Sequence, residues 1–158
     1  SKFDNNSALK QGGAIQLNEN GIITAEDCIF TRNKVVSNND KVYGGAIRIA
    51  SNCTNTNTFT RCYFGLEDDD ESGNYIYSQT KGSYGGAIYL GKNSTLDECY
   101  FYHNYASSDS TNAEFMAEGG ALAITGSCIS CTIKNSVFKK FKSVFIKLFH
   151  KNINDFPK

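Results

Sequence analysis

The sequence is poor in the features that mark most functional classes. It has no tryptophan, one proline, one methionine and two histidines among 158 residues. Sixteen basic residues balance sixteen acidic ones, so the chain as a whole lacks the electropositive footprint of a nucleic-acid binder. No run of about 18 apolar residues offers a spanning helix, and no secretory signal or lipidation motif is visible. The short Leu-dominated unit of a leucine-rich repeat and the 3.6-residue period of helical repeats are both missing.

What is present points to strands. Fourteen glycines, nine tyrosines and eleven phenylalanines stand among many Asn and Ser residues, which suits short strands joined by polar turns. One tetrapeptide recurs four times: Gly12-Gly13-Ala14-Ile15, Gly44-Gly45-Ala46-Ile47, Gly85-Gly86-Ala87-Ile88 and Gly119-Gly120-Ala121-Leu122. Each copy continues with one variable residue and another aliphatic: Gln16-Leu17, Arg48-Ile49, Tyr89-Leu90 and Ala123-Ile124. Between the copies runs a second motif, Thr-apolar followed by Cys or Ser and then Phe. It is anchored by Cys28 and Phe30, Cys62 and Phe64, Cys99 and Phe101, and Ser136 and Phe138. An Asn stands three residues after the Phe at Asn33 and Asn104, and at Asn6 after Phe3; Glu67 and Phe141 hold that spacing in the remaining copies.

The Gly-Gly copies lie 32, 41 and 34 residues apart (12→44→85→119). The irregularity falls in 34–42, 65–83 and 105–118, which reads as variable polar loops leaving one corner of a regular coil. Alternation places Ile15 and Leu17 and their counterparts inside, and Cys28, Cys62 and Cys99 with their Phe partners inside as well. Coils stacked about 4.8 Å apart then set like on like, predicting an aliphatic, a Phe and a Cys/Ser ladder. Gly-Gly suits a corner needing φ > 0 or having no room for a Cβ, and the Asn suits an amide ladder at another turn. The predicted fold is all-β: a right-handed single-stranded parallel β-helix, pectin-lyase-like, of about four to five coils over 1–138.

Residues 139–158 change character. From Phe138 onward six Lys face one Asp, a local +5 that leaves about −5 for the rest. Phe141, Val144, Phe145 and Leu148 share one helical face. This basic tail reads as a membrane-surface or partner-docking helix over 138–151, as an amphipathic helical cap on the solenoid, or as one more degenerate coil.

The alternation of Gly-Gly-Ala-Ile/Leu with Phe-x-x-Asn, over roughly residues 3–138, resembles the polymorphic outer membrane proteins of chlamydiae. Related repeats occur in adhesin-like surface proteins of other microbes, including some parasitic protists. The resemblance implies a secreted β-helical passenger that mediates adhesion, placed outside the cell or on its surface. The sequence departs from the full family architecture in showing no recognisable outer-membrane β-barrel, and the basic tail is not part of the family motif.

Candidate chemistry is sparse. Cys28, Cys62 and Cys99 read as packing thiols, although adjacent-coil separations also permit disulfides. Cys53 and Cys128 share a register with Ser94 on the coil between them, which predicts them too far apart to pair. Cys128-Ile-Ser-Cys131 is a local disulfide or half a metal site; zinc needs a second ligand pair, and only His103 and His150 remain. No metal or cofactor is therefore expected. Glycosylation sequons stand at Asn5, Asn52 and Asn93. The acidic run 68–71 lacks the spaced ligands of a calcium loop and reads as a solvated loop. The outward positions Gln16, Arg48, Tyr89 and Ala123, and Ile29, Tyr63, Tyr100 and Val137, carry no row of carboxylates for polysaccharide cleavage, and His103 has no predictable partner. The expected role is a structural or adhesive repeat segment of a larger protein. Its partners would be proteins, glycans or neighbouring copies. A carbohydrate-active enzyme and a scaffold subunit of a large assembly are the rival readings.

Overall fold

The computed structural model describes residues 1–112 and 116–140, and the backbone of 146–148. The first coil contains β1 (Lys2–Asp4), β2 (Ser7–Ala8), β3 (Ile15–Leu17) and β4 (Thr24–Glu26). The second runs through β5 (Ile29–Thr31), β6 (Lys34–Ser37), β7 (Val42–Tyr43), β8 (Ile47–Ile49) and β9 (Asn57–Thr60). The third repeats the series as β10 (Tyr63–Phe64), β11 (Tyr75–Ser78), β12 (Ser83–Tyr84), β13 (Ile88–Leu90) and β14 (Ser94–Asp97). The fourth does so as β15 (Tyr100–Tyr102), β16 (Tyr105–Ser108), β17 (Ala117–Glu118), β18 (Leu122–Ile124) and β19 (Thr132–Lys134), and β20 (Val137–Lys139) and β21 (Ile146–Leu148) come after it.

Each strand pairs in parallel with its counterparts one coil away, giving sheets β1-β5-β10-β15-β20, β2-β6-β11-β16, β7-β12-β17, β3-β8-β13-β18-β21 and β4-β9-β14-β19. The protein is a parallel β-helix. Like stacks on like because the register holds from coil to coil. Phe3, Phe30, Phe64, Phe101 and Phe138 stack with ring centroids 4.5–4.9 Å apart and planes within 9°. Ile15, Ile47, Ile88 and Leu122 form the matching aliphatic row. Burying each large side chain of this kind contributes about 1.5–3 kcal/mol.

Two sequence expectations need correction here. The variable segments are not simple loops: 34–37, 75–78 and 105–108 form one sheet, and 42–43, 83–84 and 117–118 another. Each of these strands buries at most one apolar residue, such as Val35, Ile76 or Val42, too short a pattern to stand out. Nor does Ser94 share a register with Cys53. Ser94 pairs with Asn57, because 91–93 make a three-residue turn where 50–56 make a seven-residue one.

The tail gives a partial correction. At 146–148 the backbone is a strand beside β18, with Leu122 opposite Ile146, so this stretch adds a rung and is not helical. The helical face of Phe141, Val144 and Phe145 lies outside the described residues.

The interior divides into two. A large cluster fills the space between the sheets of β5, β8 and β9, while Val35, Val42, Ile76 and Ala106 form a small separate one. Between them the coil is pinched, and the glycine pairs do the pinching. Gly44 has φ +64°, which turns the chain inward at little steric cost. Gly45 then meets the opposite wall: a Cβ there would lie 2.0 Å from the carbonyl oxygen of Gly86 and 2.8 Å from that of Tyr75. The two predicted roles of Gly-Gly thus fall to different residues, the first supplying φ > 0 and the second the space.

Facing the glycines across the waist stands a buried amide ladder. Asn6 Nδ2 donates to Asn33 Oδ1 (2.8 Å), Asn33 Nδ2 to Asn74 Oδ1 (2.9 Å) and Asn74 Nδ2 to Asn104 Oδ1 (2.9 Å). The second Nδ2 hydrogen of Asn33 and of Asn74 goes to the carbonyl of Phe3 and of Phe30, and Asn104 Nδ2 donates to that of Phe64. Each Oδ1 also accepts a backbone N–H from the preceding coil. Burial of these amides is tolerable because their hydrogen-bonding groups find partners in the stack.

Candidate interaction surface

A pinched coil is concave on its outer flanks, and the structure carries a hollow on each side of the waist. Both are lined in part by outward side chains, beside the buried Tyr84 and Asn74.

The first hollow lies at the glycine corner. Tyr43 and Tyr84 immediately precede two of the Gly-Gly pairs, and Tyr89 projects from the outer face of β13. Tyr43 stacks on Tyr84 at 5.4 Å and 17°, and meets Tyr89 edge-on at 4.8 Å and 66°, both favourable aromatic geometries. Together with Thr125 and Gly126 they line an open pocket of about 310 Å³. Arg48 lies over the Tyr43 ring at 5.7 Å, within cation–π range. Two polar atoms are buried here with no partner, Arg48 Nε and Thr125 Oγ1, each an omission of about 1–3 kcal/mol. Burial raises all three phenols, Tyr89 to about 12. They remain neutral donors throughout the physiological range.

The second hollow lies at the Asn-ladder turn, and the chain itself occupies it. After Phe64 the ladder residue comes ten positions on, at Asn74, not three. The intervening segment folds back through the Ser72 hydroxyl, which accepts from Leu66 N–H (2.6 Å) and reaches the Asp69 carbonyl (2.6 Å). Its acids clasp neighbouring coils: Asp69 with Arg32 (3.5 Å), Glu67 with Lys139 (3.0 Å) and Asp70 with His103 (3.2 Å). Hydrogen bonding to Lys139 holds the Glu67 carboxyl below its ordinary range. Here 68–71 acts as a strap as well as a solvated loop. His103, without a predictable partner in sequence, sits with its side chain 9% exposed against Asp70. The pocket around it is lined by Asp70, Glu71, Gly73, Asn74, Tyr75, His103, Tyr105 and Lys140, with no Ser, Thr or Cys among them.

Further tyrosines pair on other outer faces, Tyr63 with Tyr100 (4.7 Å) and Tyr75 with Tyr105 (5.2 Å). Sequence alternation marks Tyr63, Tyr89 and Tyr100 as outward but misses Tyr43, Tyr84 and Asn74. The signal for the first two is a Tyr standing directly before Gly-Gly in two copies. The signal for Asn74 is the tetrapeptide on its C-terminal side, since Tyr75-Ile76-Tyr77-Ser78 repeats the pattern of Lys34-Val35-Val36-Ser37.

Cys28, Cys62 and Cys99 are free, buried thiols at one position of successive coils, and Cys53 is free and buried elsewhere. A hydrogen bond to Cys62, together with burial, pushes the Cys99 thiol upward, so it is no ready nucleophile. Cys128 and Cys131 are joined by a disulfide, with Cα atoms 5.9 Å apart. Asn5 and Asn52 are exposed, whereas the Asn93 side chain accepts from Ser130 N–H (3.0 Å) beside the buried Ser94. No group of three or more His, Cys, Asp or Glu side chains is placed to hold a metal among the described residues.

The fold and the stacked motifs define a β-helical repeat protein. Within it, residues 1–18 match the Chlamydia polymorphic membrane protein repeat, a stretch holding both Phe3-x-x-Asn6 and Gly12-Gly13-Ala14-Ile15. No curated protein and no solved structure matches the chain.

Proposed function

We propose that the chain is a surface-exposed adhesive segment of a larger protein, whose rigid β-helix presents tyrosines to protein or glycan partners. The observation that carries this reading is the distribution of tyrosine. Pairs such as Tyr63–Tyr100 and Tyr75–Tyr105 stand on outer faces, where they contribute little to the core. Tyrosine offers a rigid amphipathic contact at low entropic cost, and the repeat match links the chain to membrane proteins of that name.

A polysaccharide-cleaving role finds less support. Its general acid needs a sheltered carboxyl, yet Asp70 is 84% exposed and paired with His103. The test is binding of the intact chain to host-type cells and to a glycan array, beside a Tyr63→Ser/Tyr100→Ser variant and a deletion of 65–71. Loss of binding in either variant with the fold intact supports the reading and locates the contact. Binding to neither cells nor glycans by the unaltered chain overturns it.

A further inference from the structure

We propose that the tyrosine pocket at the glycine corner is a glycan-binding subsite that accepts a single pyranose ring. This rests on the adhesive reading above and specifies one contact within it. Tyr43, Tyr84 and Tyr89 come from two coils and two sheets, and converge only because the waist is pinched at Gly44 and Gly85. The space they bound, about 310 Å³, is at the lower end for small-ligand pockets.

The chemistry of the walls selects the ligand. Neutral phenols offer π faces and hydroxyls in one place, with Tyr84 largely buried against Tyr43, and a pyranose offers the complement: a face of axial C–H groups with hydroxyls around its edge. Thr125 Oγ1 supplies an unpartnered polar atom in the pocket wall, which a purely apolar guest would leave unpaired. An aromatic peptide side chain would satisfy the rings but not this atom. A ring hydroxyl can exchange a hydrogen bond with Thr125. The outer ladder gives the position too: Gln16, Arg48, Tyr89 and Ala123 stand in line, so tyrosine occurs once, between a guanidinium and a methyl group.

The experiment uses the full chain and a panel of methyl pyranosides (gluco, galacto, manno), read by saturation-transfer NMR and by tyrosine fluorescence. Binding with a Kd of about 1–10 mM is expected, a typical strength for one small contact, with saturation concentrated on one face of the ring. Tyr89→Ala should weaken it at least tenfold. Tyr89→Leu, which keeps apolar bulk if the alanine variant fails to fold, should do the same. Thr125→Val should weaken it several-fold, and Tyr63→Ala on another face should leave it unchanged. No pyranoside bound at about 50 mM, or undiminished binding in the folded Tyr89 variants, overturns the proposal. Preferential binding of N-acetylphenylalaninamide also overturns it, in favour of a protein side chain. Cell binding that persists in Tyr89→Leu leaves the adhesive reading standing and removes only this subsite; no cell or glycan binding by the unaltered chain removes the reading itself.

Discussion

Inside the waist and on its outer flanks, the same stretches of chain behave in opposite ways. Inward, Gly45 lies against the backbone of Tyr75 and Gly86, and the amides of Asn33, Asn74 and Asn104 repeat one hydrogen-bonding pattern. Outward, the same corner carries Gln16, Arg48 and Tyr89 in succession, with Ala123 next in the row but fully buried. Parallel stacking explains the contrast. An inward residue meets its own counterpart above and below, so every coil sets the same requirement. An outward residue meets solvent and whatever its neighbours leave free, so it can vary without cost to the stack. Specific recognition therefore belongs on the flanks.

The sharpest way to break this comparison is to add one methyl group inside. In Gly45→Ala the new Cβ falls 2.0 Å from one backbone oxygen and 2.8 Å from another, and no rotamer change relieves backbone contacts. Adjacent coils must separate, so a loss above about 4 kcal/mol is expected. Arg48→Ala, three residues on and outward, should cost under about 1 kcal/mol. Urea unfolding followed by circular dichroism measures both. Similar midpoints for the two variants would show that the waist is not the constraint described.

Next in size is the amide ladder. Asn74→Ala removes the acceptor of Asn33 N–H and Nδ2, and the donor to the Phe30 carbonyl. Orphaned buried groups cost about 1–3 kcal/mol each, and partial relaxation brings the expected loss to about 3–5 kcal/mol. The same urea titration reads it. A loss below about 1 kcal/mol would mean that Asn74 is not a working rung.

These two sites also show what was legible in sequence. Gly45 could be read because its requirement recurs at fixed spacing from Ala46 and Ile47. Asn74 could not, because legibility depended on counting three residues from Phe64 and an insert displaced the count. The sheets of β6 and β7 were illegible for a different reason. Their strands are two to four residues long and bury at most one apolar side chain each, less than an alternation needs to show itself. The tyrosine pocket was half legible. Tyr89 fell on an outward position, but only the pinch, a property of the folded coil, brings Tyr43 and Tyr84 beside it. The Asp70–His103 contact was hidden for the same reason as Asn74, since the insert delivers Asp70 from 33 positions away (70→103).

The smallest effect should come from removing that insert. Deleting 65–71 leaves Phe64-Ser72-Gly73-Asn74, which restores the Phe-x-x-Asn spacing of Phe30–Asn33 and Phe101–Asn104. Ser72 keeps the carbonyl that accepts from Arg32 N–H (2.9 Å). Gly73 takes the corner where Arg32 and His103 hold φ of 54° and 56°, a conformation glycine adopts freely. What disappears are the bond from Gly65 N–H to the Phe30 carbonyl (2.9 Å), which keeps Asn74 Nδ2 as a donor, and the contacts of Glu67, Asp69 and Asp70, whose side chains are 47%, 42% and 84% exposed. Exposed pairs of this kind contribute little, and the shorter connection recovers part of the loss. A net change within about 1 kcal/mol is expected, together with weaker dependence on salt because four screened pairs are gone. A loss as large as that of Asn74→Ala would place the strap among the elements that hold the coil closed, and the outer flank could no longer be treated as free to vary.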